Sequence, residues 1–66
     1  MENRIKEYRE EKGLTQQDLA DLTGVSRQTI NSLENGKYNP SIILAYDIAR
    51  VFGAIIEEIF IFKEEN

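Results

Sequence analysis

The chain has no cysteine, no histidine and no tryptophan among its 66 residues. Without cysteine there is no disulfide framework, and without thiol or imidazole there is no Cys/His zinc site. The same absences remove the commonest nucleophile and base of enzymes, and no glycine-rich phosphate loop stands in their place. Glu57-Glu58 and Glu64-Glu65 read as solvated charge rather than acid–base pairs, so no enzyme, metal, cofactor or small-molecule substrate is expected. No apolar run approaches the roughly 20 residues of a membrane span. The opening MENRIKEYREEK is charged and lacks an apolar centre, so no secretory signal is expected. The chain reads as soluble and cytoplasmic.

This length supports one domain, residues 1–66, able to bury only about 60% of its unfolded surface. With covalent and metal staples excluded, stability must come from close helix packing or from a second chain. The net charge of −4 argues against nucleic acid at first sight. Its distribution weakens the objection. Residues 57–66 hold Glu57, Glu58, Glu64 and Glu65 against Lys63, four acids to one base. From Leu22 to Tyr46 there are Arg27 and Lys37 against Glu34 alone. A phosphate backbone meets the local field rather than the sum.

Apolar spacing places a first helix over Asn3 to Lys12, with Asn3 as cap, Ile5 and Tyr8 inward, and Gly13 as stop. A second runs from Gln16 to Thr23, opened by the Thr15-x-x-Asp18 capping-box pattern. A third, Arg27 to Asn35, is capped by Ser26 and buries Ile30 and Leu33. Between them Gly24 suits the left-handed turn, and small Ala20 lets the two helices cross closely. After Gly36, Pro40 holds Asn39 out of the helical region. A fourth helix, capped by Ser41 and ending at Phe52, faces inward through Leu44, Ala45, Ile48, Val51 and Phe52. A short fifth occupies Ile56 to Ile59. Then Ile59-Phe60-Ile61-Phe62 carries a strand signal with no obvious partner in its own chain.

Two short helices around a glycine turn make a helix-turn-helix candidate. Such a unit sets its second helix in the major groove. The exposed side of the third helix offers Arg27, Gln28, Asn31, Ser32 and Asn35, with no acid among them. Arginine pairs with guanine, and asparagine or glutamine with adenine. The first turn, Ser26-Arg27-Gln28-Thr29, also lacks a carboxylate, which leaves amide donors for phosphate. Gln16 opens the second helix toward the same backbone.

GLTQQDLADLTGVSRQTINSLENGKYNPS resembles the core of the phage Cro and repressor-type helix-turn-helix family, and the similarity extends from about Ile5 to Phe60. The resemblance implies an all-α, compact five-helix lambda-repressor-like domain acting as a dimeric transcriptional regulator. It implies DNA contacts from Gln16, Ser26, Arg27, Gln28, Thr29 and Asn31, with Lys37, Tyr38 and Asn39 on the adjacent backbone. It also implies an Arg9–Glu34 ion pair between the first and third helices. Two departures stand out: Ile55 where a serine cap is usual, and Thr23 where an apolar residue is common.

The length and tail resemble the small cytolysin-repressor-like members, in which a C-terminal strand supports dimerisation. Ile59, Phe60, Ile61 and Phe62 are therefore expected at a homodimer interface on a strand over residues 59–64. Ile59, and in part Phe60, also serve the chain's own core. The expected function is repression through a palindromic double-stranded DNA operator. The alternatives are an antitoxin-like module that binds a partner protein as well as DNA, and a helical interaction domain that does not bind DNA.

Overall fold

The structure is a computed structural model and describes residues 1–63. The end of the expected 59–64 strand and the Glu64-Glu65 pair lie outside the described residues. Five helices follow in order: α1 (Ile5–Glu11), α2 (Gln16–Thr23), α3 (Arg27–Glu34), α4 (Ile42–Phe52) and α5 (Ile56–Ile59).

The helices start where side-chain oxygens satisfy their free amides. Thr15 Oγ1 accepts from the Asp18 N–H, and Asp18 Oδ2 accepts from the Thr15 N–H, each at 3.0 Å. Hydrogen bonds from the Thr15 backbone N–H and then its hydroxyl hold the Asp18 carboxyl below its ordinary pKa. Ser26 Oγ accepts from Thr29 N–H and Ser41 Oγ from Leu44 N–H, both at 3.1 Å. At the fifth helix Ile55 has no oxygen to offer. There Glu58 Oε1 accepts from the Ile55 N–H at 3.0 Å, half of a reciprocal cap, and the helix still forms over its four expected residues.

Between α2 and α3 the chain reverses at Gly24, whose φ of 73° lies in the left-handed region. A Cβ added there would meet nothing within 4 Å. Gly24→Ala is therefore expected to lose about 1–2 kcal/mol through backbone strain alone. Gly24→Asn should lose less, because asparagine tolerates this conformation; urea unfolding of the pair checks both.

Ile5, Leu19, Ala20, Ile30, Leu33, Ile48, Ile59 and Phe60 form a core that no element could close alone. Each fully buried aliphatic or aromatic side chain contributes about 1.5–3 kcal/mol relative to exposure. Tyr8 lies against Phe52, with ring centroids 5.6 Å apart and tilted. Thr23 is accommodated at its half-buried position because its hydroxyl donates to the Leu19 carbonyl at 2.7 Å.

Three expectations are corrected. First, α1 begins at Ile5 rather than Asn3. Asn3 stays outside the helix but keeps part of the expected capping role: its Oδ1 accepts from the Ile5 N–H at 3.1 Å while its Nδ2 donates to the Leu33 carbonyl at 2.7 Å. Second, the tail forms no strand among the described residues; one antiparallel bridge joins Asn3 and Phe60. The partner said to be missing is the chain's own first residues, since Arg4 N–H donates to Ile59 O at 2.7 Å and Ile61 N–H to Glu2 O at 2.9 Å. Third, Ile59 and Phe60 are 0% and 1% exposed within a single chain, so they are unavailable to a dimer partner. A helix ends at Ile59, which breaks the alternation that would have turned one of the two outward. Ile61 is half-buried and Phe62 is exposed.

Candidate nucleic-acid interface

The angle between α2 and α3 is set from inside. Ala20, with no side chain beyond Cβ, is fully buried between them, and Ile30 and Leu33 fill the space behind. At the edge of this packing Arg9 Nε donates to Glu34 Oε2 at 2.7 Å and Nη2 to Glu34 Oε1 at 3.2 Å. Arg9 Nη1 donates to the Leu14 carbonyl at 2.8 Å. The Arg9 and Glu34 side chains are only 11% and 5% exposed, so little solvent screens this bidentate pair. Hydrogen bonding to Glu34, ahead of the cost of burial, holds the Arg9 guanidinium above its ordinary pKa.

The pair reaches toward the outer face. Glu34 Oε1 also accepts from Gln16 Nε2 at 3.1 Å, and Gln16 Oε1 lies 3.5 Å from Arg27 Nη1. One line of side chains thus runs from the buried arginine to the first residue of α3. Because Glu34 is neutralised by Arg9, the uncompensated charges from Ser26 to Pro40 are Arg27 and Lys37.

On the outer surface of α3, Arg27, Gln28, Asn31 and Asn35 are exposed, and Thr29 and Ser32 are half-buried beside them. Asn35 Nδ2 donates to Asn31 Oδ1 at 3.2 Å, which leaves the Asn31 amide donor and the Asn35 carbonyl free. Ser26, exposed at the head of the helix, accepts from the Thr29 amide and shares a hydrogen bond with its hydroxyl. Tyr38 comes back over this surface: Ser26, Gln28, Thr29, Ser32 and Tyr38 line one shallow notch.

Lys37 follows on the same loop. Asn39 does not join the notch. It lies with Met1 and Phe62 on the rim of two other depressions.

One of these is an apolar groove of about 270 Å³ between Pro40, Ile42, Ala45, Ile56, Phe60 and Phe62. Ile42 is 79% and Phe62 57% exposed at its edges. Ile42, and its equally outward neighbour Ile43, were not singled out from the sequence. The signal was present: Ile43 falls on the side of Tyr46 and Arg50, away from the inward set, and Ile42 lies one turn before Ala45 at the edge of that set.

Comparison with known proteins agrees with this geometry. Residues 5–59 match the Helix-turn-helix family model. The chain is 62% identical over 66 residues to an uncharacterized HTH-type transcriptional regulator of Archaeoglobus fulgidus, covering 100% of this chain and 93% of that protein. Its fold is similar to the restriction-modification controller protein C.AhdI from Aeromonas hydrophila, with a TM-score of 0.79, 33% identity and 86% of each chain covered. It is also similar to SinR, the master regulator for biofilm formation, in complex with DNA, with a TM-score of 0.75 and 34% identity, covering 82% of this chain and 87% of that one. The chain belongs to the helix-turn-helix family, and it is a DNA-binding transcriptional regulator rather than an enzyme.

Proposed function

We propose that the protein is a cytoplasmic repressor that binds a palindromic operator as a homodimer and acts by occupying it. The observation that carries this reading is the outer face of α3, where Arg27, Gln28 and Asn31 stand exposed with no acid among them. Gln16, Ser26 and Thr29 frame its start, and Ser32, Asn35, Lys37 and Tyr38 continue it. Asn39 is the weakest member of the contact set, given its place beside Met1 and Phe62. Binding to an operator selected from a random pool, compared with random DNA at two salt concentrations, tests the reading. Equal affinity for both would overturn sequence-specific regulation, and a flat salt response would count against extensive phosphate contact.

A two-fold dimer is supported by the apolar groove. Residues 1–63 form one domain whose own core leaves Ile42 and Phe62 uncovered at the groove edge. A symmetric contact would bury each Phe62 against the other copy's groove and set two α3 helices about 34–36 Å apart. Phe62→Asp is expected to yield a folded monomer by sedimentation. Its operator affinity should fall about 100-fold or more, since two linked half-sites become one. An unchanged dimer would move the interface elsewhere.

A further inference from the structure

The notch beside α3 has a volume of about 210 Å³ and no charged residue in its walls. Two of its five lining residues are already engaged with each other. The Ser26 and Thr29 hydroxyls lie 3.0 Å apart, and Ser26 also accepts from the Thr29 amide. Beside that shared hydrogen bond Thr29 carries a γ-methyl group. Tyr38, 46% exposed, contributes an aromatic ring from the loop after α3. Gln28 and Ser32 stand one helical turn apart on the same wall.

This is an uncharged, mostly polar notch in which one methyl and one aromatic ring stand beside neutral donors, set on the surface that the DNA-binding reading turns toward the major groove. Among the four bases only thymine shows there a methyl group next to a hydrogen-bond acceptor, its C5-methyl beside O4. Cytosine shows an amino donor and no methyl, and a carboxylate, the group best suited to accept from it, is absent from the notch. We propose that Tyr38 and Thr29 form a seat for the C5-methyl of one thymine in each half-site, with Gln28 or Ser32 donating to its O4. The proposal rests on the operator-binding reading and deepens it. Tyr38 becomes a specificity-determining residue, not only a contact to the sugar-phosphate backbone.

The test uses the full chain and an operator selected from random sequence, with each thymine replaced in turn by deoxyuridine. That change removes one methyl and nothing else. One position per half-site should lose about fourfold in affinity, the effect of leaving one methyl-sized group unburied. In Tyr38→Ala the deoxyuridine penalty at that position should vanish, while Tyr38→Phe should keep it. Tyr38 is exposed, so both variants should retain the wild-type helical circular dichroism, which is measured alongside.

Three results would overturn the seat: no deoxyuridine-sensitive position, a penalty that survives Tyr38→Ala, or Tyr38→Phe behaving as Tyr38→Ala. The last would assign the tyrosine hydroxyl to a phosphate. A wild-type chain that selects no sequence would instead overturn the operator-binding reading itself.

Discussion

Arg9→Ala is expected to lose about 3–5 kcal/mol of folding stability, because it leaves the Glu34 carboxylate buried without its partner. A domain of this size holds only about 3–10 kcal/mol in total. The variant should therefore be largely unfolded at room temperature, or melt tens of degrees below the wild type. Glu34→Ala should do the same from the other side. Glu34→Gln keeps a carbonyl oxygen near Arg9 and Gln16 and should lose less, since it removes charge but not shape. The informative variant is the double change Arg9→Met with Glu34→Leu. Replacing a buried pair by apolar residues of similar volume is often neutral or better, so most of the lost stability should return.

Function should not return with it. Glu34 Oε1 holds the Gln16 amide, and Gln16 in turn stands beside Arg27. In the double variant Gln16 has no anchor, so discrimination between operator and random DNA should fall even though the melting curve has recovered. Urea unfolding and operator binding on the same preparations separate the two effects. If stability and discrimination recover together, the ion pair has a purely structural part.

The helix-turn-helix was legible because its signals are local. Thr15 and Asp18, or Ser26 and the Thr29 amide, are three residues apart, and the buried set Leu19, Ala20, Ile30 and Leu33 follows helical spacing. The contacts that tie the domain together are not local, and those were missed or reached only through family resemblance. Asn3 meets the Leu33 carbonyl across 30 positions, and Arg9 meets Glu34 across 25. No propensity or periodicity links such residues. The tail illustrates the same limit. Its β-branched and aromatic run carries a strand signal, yet Ile59 closes α5 and a single bridge forms at Phe60, to the polar stretch Glu2 to Arg4, which carries no strand signal of its own. Ile59 and Phe60 take the core role also expected of them and not the interface role, because the period of two starts only after a helix has ended at Ile59.

The double change Arg27→Ala with Gln28→Ala is expected to reduce operator affinity at least about 30-fold per half-site, from two lost base contacts of about 1–3 kcal/mol each. Both side chains are exposed and carry no part of the core, so unfolding should shift by no more than about 0.5 kcal/mol. Affinity for random DNA should change much less than affinity for the operator. Lys37→Ala is the counterpart. A lysine that touches only phosphate should weaken binding to every sequence alike and lower the slope of affinity against salt by about one. The position of Arg27 decides between these two behaviours. Gln16 Oε1 stands 3.5 Å from its Nη1, close enough to bias the guanidinium toward one orientation, as reading a guanine edge requires. Gln16→Ala should leave the salt slope nearly unchanged and relax preference at the base that Arg27 reads. Equal weakening of binding to every sequence, with preference intact, would instead place Gln16 on the phosphate backbone, and Arg27 would then be oriented without it.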